Sequence, residues 1–116
     1  MKGDAPRYSK PVVVLIGPKV VSSAESFVLM MKHGAHARLI GEPTGGSSGR
    51  PMPQQLGNGV TVYLSSWEDQ FPDGSILQGR GVAPDSVIKM IPQRTPNPTD
   101  PLVDAALKFL RAKEKT

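Results

Sequence analysis

The sequence predicts an α/β domain built around a strand, a helix and a second strand. Residues 11–16 form a continuous aliphatic run that ends at Gly17-Pro18, as in a strand buried on both faces of a parallel sheet. Apolar residues at helical spacing follow, and the short aliphatic segment 37–41 closes the unit. Elements in this order form a right-handed crossover with a parallel strand pair.

The helix is predicted to begin at Ser22 or Ser23, either of which can cap it, and to end at Gly34 after about three turns. Its apolar residues occur at positions i, i+3, i+4 and i+7, which predicts one face for packing on the sheet. That face comprises Ala24, Phe27, Val28 and Met31.

The second half of the chain predicts short elements separated by turns. Residues 42–55 are rich in Gly, Pro and Ser, which favours a loop without regular structure. Residues 60–65 alternate after a Gly-Asn-Gly turn, which predicts a strand that is free to pair with residues before the turn. Residues 75–78 and 86–90 are predicted as short strands.

The domain organisation follows from these elements. We expect residues 1–10 to be an irregular N-terminal segment and residues 11–91 to form the main body. The Pro-rich residues 92–99 predict a linker. Residues 100–116 predict a C-terminal helix that is capped by an aspartate and starts with a proline.

Composition excludes several classes of function. The chain has 116 residues, a net charge of +4 and no cysteine, which indicates one domain or part of one, without disulfides or a zinc cluster. The basic residues are scattered, so we expect no nucleic-acid partner. No apolar run is long enough for a membrane span, and the first ten residues lack the apolar core of a signal peptide. We expect no cofactor and no metal.

Ser22 is the first candidate for chemistry, and its position supports two interpretations. A serine at a helix start is typical of a helix cap, and Glu25 three residues later completes a capping box. The same position suits a nucleophile, because the free N–H groups and positive dipole of the helix start stabilise a developing negative charge. Spacing alone leaves both open.

Several motifs, in order, resemble the C-terminal-processing (tail-specific) serine peptidase family. They are Pro-Val-Val-Val-Leu-Ile at residue 11, Ser-Ser-Ala-Glu-Ser-Phe at residue 22, Gly-Glu-Pro-Thr-Gly-Gly at residue 41 and Gly-Arg-Gly-Val-Ala-Pro-Asp at residue 79. The resemblance implies a partial crotonase/Clp-protease-like spiral of β-β-α units. It also implies hydrolysis of a polypeptide substrate through an acyl-enzyme.

The resemblance assigns roles to individual residues. It makes Ser22 the nucleophile and gives the main-chain N–H of Ser23 to the oxyanion hole. Gly45 and Gly46 are expected to shape an adjacent active-site loop. Family members of the lysine type carry their general base at the position of Ser47, and a serine cannot accept the proton at neutral pH.

No other residue of the chain is expected to replace that base. Arg50 keeps its proton, and Lys32 and Lys19 are poorly placed relative to the nucleophile. His33 and His36 are expected to be exposed near the helix end. In other branches of the superfamily the general base is a histidine from an upstream segment, supported by a glutamate.

The resemblance therefore implies that this chain is the C-terminal part of a longer peptidase and is inactive alone. Its implied partners are the upstream catalytic half, with a PDZ domain, and a second copy in a homo-oligomer. The implied location is the bacterial periplasm or cell envelope. Two alternatives stay open: a non-catalytic binding module of the same fold, supported by the missing lysine, and a crotonase-type acyl-CoA enzyme.

Overall fold

The computed structural model of the protein describes residues 8–35, 37–90 and 100–114. In this part of the chain, short strands and two helices alternate. In chain order the elements are β1 (Val13–Ile16), α1 (Ser23–Gly34), β2 (Arg38–Gly41), β3 (Pro51–Gln55), β4 (Thr61–Ser65), β5 (Ser86–Val87) and α2 (Pro101–Glu114). The predicted linker at 92–99, most of the N-terminal segment and His36 lie outside the described residues.

A parallel sheet forms the centre of the fold, with the strand order β1-β2-β5. Val13 is paired with Arg38 and Ile16 with Gly41, so β1 and β2 are in register along their full length. The predicted strand-helix-strand unit and its parallel pairing are confirmed. The strand predicted at 86–90 is present in the shorter form of β5.

The two helices cover opposite faces of this sheet. Ile16 and Leu39 are buried in a cluster with Val28 of α1. On the other face, the guanidinium of Arg38 lies 5.9 Å from the ring centre of Phe109 in α2. Since successive strand residues point to opposite faces, Leu39 turns toward α1 and Arg38 toward α2.

The C-terminal helix starts as predicted. Asp100 caps it, because its carboxylate oxygen accepts a hydrogen bond from the N–H of Leu102 at 2.8 Å. Pro101 occupies the first helical position, where its missing N–H removes no intrahelical bond. Among the described residues, no helix is long and apolar enough to span a membrane.

The packing face predicted for α1 is wrong in part. Val28 is buried, but Ala24 is exposed and half of the Phe27 surface remains accessible. The fully buried residue of the first turns is instead Glu25. The helix is rotated relative to the apolar pattern because hydrogen bonds hold this carboxylate inside the molecule.

Two predictions for the middle of the chain are also wrong. Residues 51–55, expected to be irregular, form β3, which pairs with β4 in an antiparallel hairpin. The strand after the Gly-Asn-Gly turn therefore pairs with residues 51–55. The strand expected at 75–78 is reduced to a single bridge between Gln70 and Ile76, because Asp73 accepts hydrogen bonds from Ser75 and closes a tight turn.

Candidate active site

Ser22 lies on a tight turn between the edge strand β1 and helix α1. Its backbone angles are φ 59° and ψ −131°, a combination that residues with a Cβ rarely adopt. In the described part of the chain, the only other non-glycine residue with positive φ is Arg50. Such strain persists only where the surrounding structure fixes it, and it is frequent at functional sites.

The cap function of Ser22 falls on its main chain rather than on its hydroxyl group. Ser22 and Glu25 face each other as in a capping box. The Ser22 N–H donates to the Glu25 carboxylate at 3.1 Å. In a capping box the serine hydroxyl accepts a hydrogen bond from the N–H of the residue three positions later. Here the Glu25 N–H donates to the Ser22 carbonyl at 2.8 Å. The hydroxyl therefore makes no cap hydrogen bond, and the side chain is exposed.

The main-chain N–H of Ser23 is free to bind a ligand. Ser23 is the first residue of α1, and the first N–H groups of a helix have no intrahelical partner. Among the described residues, no acceptor receives a hydrogen bond from this N–H. A donor at the positive end of the helix, next to an exposed hydroxyl, has the character of an oxyanion-hole group.

The loop that contains Gly45 and Gly46 packs directly against the Ser22 turn. The Gly45 N–H donates to the Val20 carbonyl at 2.8 Å, and the Ser22 N–H donates to the Ser47 carbonyl at 2.7 Å. These bonds join the two segments backbone to backbone. The loop and the Ser22 turn are therefore in direct main-chain contact.

Both glycines are required by the space around them. A Cβ at Gly45 would lie 2.6 Å from a methyl carbon of Val21. Gly46 has φ 66°, and a Cβ there would lie 2.6 Å from the N atom of Gly81. The Gly-Arg-Gly-Val-Ala-Pro-Asp segment at residue 79 therefore packs directly against the loop.

Glu25 is the central residue of the site, and sequence reasoning identified only its capping contact. The side chain is fully buried. Its carboxylate accepts hydrogen bonds from the hydroxyl of Thr44, from the N–H of Gly46 at 2.8 Å and from the N–H of Ser47 at 3.0 Å. With the bond from Ser22, four donors converge on this carboxylate. The sequence pattern carries no signal for three of them, because they come from a distant loop.

The candidate general bases of this chain do not hydrogen-bond to Ser22 in the described structure. Lys32 is engaged elsewhere, with the Ala83 carbonyl at 3.2 Å and the Asp85 carboxylate at 3.4 Å. His33 and Lys19 are exposed. The hydrogen bond that joins Ser47 to Ser22 runs between main-chain atoms. In the ranges described, no group of three or more acidic or histidine side chains is arranged to hold a metal ion.

A serine on a strained turn between a strand and a helix is the arrangement that α/β enzymes with a serine nucleophile use. Comparison with known proteins identifies the family. The family model described as Peptidase family S41 matches residues 1–88, and the chain belongs to this family of serine peptidases. No curated protein sequence matched the chain.

Several solved structures resemble this fold. A Parabacteroides merdae protein assigned as a peptidase matches with a TM-score of 0.84 and 27% identity over 98% of this chain. Mature CPAF complexed with lactacystin matches with a TM-score of 0.65 and 27% identity over 73% of this chain. The photosystem II D1 C-terminal processing protease matches with a TM-score of 0.57 and 26% identity over 68%.

The chain spans only part of the length of these proteins. It covers 36% of the Parabacteroides protein, 17% of CPAF and 20% of the D1 processing protease. The match to the Parabacteroides protein nevertheless extends over nearly all of this chain. The mixed α/β fold of the peptidase family is therefore shown for the part of the molecule that contains Ser22.

Proposed function

We propose that this chain carries the nucleophile side of a serine peptidase active site. The observation that carries the proposal is the strained turn of Ser22, which presents an exposed hydroxyl beside the free N–H of Ser23. The substrate is a polypeptide, as the family membership implies. Ser47, at the position expected for a lysine, contributes only main-chain groups.

In the proposed reaction, the Ser22 hydroxyl oxygen attacks the carbonyl carbon of a peptide bond and its proton passes to a general base. The Ser23 N–H donates a hydrogen bond to the carbonyl oxygen as that oxygen becomes negative. The C–N bond then breaks, the amine leaves with the proton, and an ester on Ser22 remains. Water hydrolyses this ester and restores the hydroxyl.

The general base and a second oxyanion donor are assigned to the remainder of a longer protein. Two observations support this assignment. The N–H groups of Gly45, Gly46 and Ser47 are already bonded within the site. The chain also covers about a third of the Parabacteroides peptidase. A PDZ domain, a homo-oligomer and a bacterial cell-envelope location belong to the same proposal.

Labelling of the full-length protein with a fluorophosphonate probe tests the proposal. We expect rapid labelling at Ser22, located by mass spectrometry of the modified peptide, and none in Ser22→Ala. Ser23→Ala is the matched control, since it keeps the main-chain N–H and removes only a neighbouring hydroxyl. It should label at a rate close to that of the unmodified protein.

The same experiment distinguishes the second candidate function, a non-catalytic binding module of the same fold. The absence of a base near Ser22 in the described residues favours this alternative. If the full-length protein is folded and binds polypeptides but is not labelled at Ser22, the binding module replaces the peptidase as the proposed function.

A further inference from the structure

Both oxygens of the Glu25 carboxylate are fully occupied as hydrogen-bond acceptors. One carboxylate oxygen accepts from the Thr44 hydroxyl and the Gly46 N–H, and the other accepts from the N–H groups of Ser22 and Ser47. A carboxylate offers about four lone-pair positions. All four partners are donors, so the site fits an ionised carboxylate and no other side chain of the same size.

Burial of this carboxylate is not explained by an ion pair. Among the described residues, the ion pair between Lys32 and Asp85 lies elsewhere, and no cation contacts Glu25. Burying a charge without a counter-charge is unfavourable unless hydrogen bonds replace the lost water. Four donors meet that requirement, whereas an apolar residue would satisfy packing alone.

The donors belong to segments that are far apart in sequence. Ser22 lies on the turn before α1, whereas Gly46 and Ser47 lie on the loop after β2. Thr44 extends the connection, since its hydroxyl also accepts the Val82 N–H at 2.7 Å. One side chain thus joins the strained serine turn, the glycine loop and the segment beneath it.

We propose that Glu25 is a positioning residue for Ser22. Its carboxylate holds the N–H of Ser22 and the two adjacent loop N–H groups, and this fixes the strained turn in which the hydroxyl points to solvent beside the Ser23 N–H. Glu25 acts through Ser22 and contacts no substrate. Only the expected change in the reactivity of Ser22 rests on the proposed function.

The decisive variant is Glu25→Gln in the full-length protein. The amide keeps the shape of the side chain but replaces one oxygen by an NH₂ group, which must then face two donors. We expect the rate of fluorophosphonate labelling at Ser22 to fall about tenfold or more, since small misplacements of reacting groups have effects of this size. With a peptide substrate, kcat should fall while KM changes little.

Asp85→Asn is the matched control. Asp85 also accepts a main-chain bond, from the Leu39 N–H at 2.8 Å, and its carboxylate pairs with Lys32 rather than with a group of the Ser22 turn. The substitution should reduce the stability of the protein. The folded fraction should still be labelled within about twofold of the wild-type rate, because the lost hydrogen bond lies outside the Ser22 turn. Equal slowing in both variants, or wild-type labelling in Glu25→Gln, would overturn the inference.

Two further measurements keep the inference testable. If Glu25→Gln does not fold, Glu25→Asp retains the charge but is one methylene too short for all four donors, and an unchanged labelling rate in that variant would overturn the proposal. Amide hydrogen exchange does not depend on catalysis. It should be accelerated at Ser22, Gly46 and Ser47 in Glu25→Gln, and unchanged exchange there would contradict the positioning role even if wild-type Ser22 proves unreactive.

Discussion

The main-chain N–H of Ser22 donates a hydrogen bond to the Ser47 carbonyl at 2.7 Å. The same N–H also donates to Glu25, which in turn accepts from the Ser47 N–H. Ser22, Glu25 and Ser47 therefore form a closed hydrogen-bonded triangle. This triangle makes the geometry of the serine turn depend on a loop that follows the next strand, and it determines the effects of mutations around the site.

Ser22→Gly should stabilise the protein while abolishing labelling. The angles φ 59° and ψ −131° disfavour a residue with a Cβ, and such strain costs about 1–3 kcal/mol. Glycine adopts these angles freely. We expect the free energy of unfolding to rise by about 1 kcal/mol, measured by urea denaturation.

Ser23→Gly is the control for this effect. Ser23 lies within the first turn of α1, where glycine lowers stability by about 0.5–1 kcal/mol. A loss of stability in both variants would show that the Ser22 turn stores no strain.

Gly46→Ala should be strongly destabilising. Its φ of 66° disfavours alanine, and the added Cβ would lie 2.6 Å from the backbone N atom of Gly81, which cannot move aside like a flexible side chain. We expect a loss of about 2–4 kcal/mol, typical of overpacking combined with backbone strain.

Gly57→Ala provides the comparison, because a Cβ at Gly57 meets no atom within 4 Å. It should change the midpoint of thermal unfolding by less than about 2 °C, since surface substitutions of this kind have small effects. Similar midpoints for the two alanine variants would contradict the packing described for Gly46.

The sequence predicted the central elements well because their signals are local. The aliphatic run before Gly17 and the cap-proline pair at Asp100 each specify an element within a few residues. The prediction failed at Pro51 and Pro53, whose lack of N–H groups disfavours a strand. These prolines are tolerated in a two-stranded hairpin, where, among the described residues, one edge of β3 has no partner strand.

The candidate site shows the same division between local and distant information. The helix-start position of Ser22 was readable from its neighbours, and the resemblance assigned its role. The burial of Glu25 was not readable, because the donors at Thr44, Gly46 and Ser47 come from a loop about twenty residues away. For the same reason the apolar pattern misassigned the inner face of α1.

Asp85→Asn should lower stability in a pH-dependent way. Burial raises the pKa of Asp85, but the hydrogen bond from the Leu39 N–H and the charges of Lys32 and Arg38 outweigh it, so the pKa lies below its ordinary value. A lowered pKa stabilises the fold above the unfolded-state pKa of about 3.9, and this contribution is lost as the pH falls through the folded-state value.

At pH 7 we expect the asparagine variant to be less stable by about 1 kcal/mol, the size of one hydrogen bond. The difference from the unmodified protein should shrink below about pH 4, because the carboxyl is then protonated first in the unfolded protein and, at lower pH, in the folded protein as well. Urea midpoints between pH 7 and pH 3 measure this trend. A gap that stays constant over the range would show that the charge of Asp85 contributes nothing.

Substitutions at Ser47 separate its main chain from its hydroxyl. Within the described structure, the hydrogen bonds of Ser47 to the site are the N–H to Glu25 and the carbonyl to Ser22. Ser47→Ala should therefore label at Ser22 within about twofold of the wild-type rate, because both groups remain. Ser47→Pro removes the N–H and should slow labelling about tenfold or more, since one of the three hydrogen bonds from the loop to Glu25 is then lost. A tenfold loss in Ser47→Ala would instead show that the hydroxyl, and not only the main chain, of Ser47 supports the site.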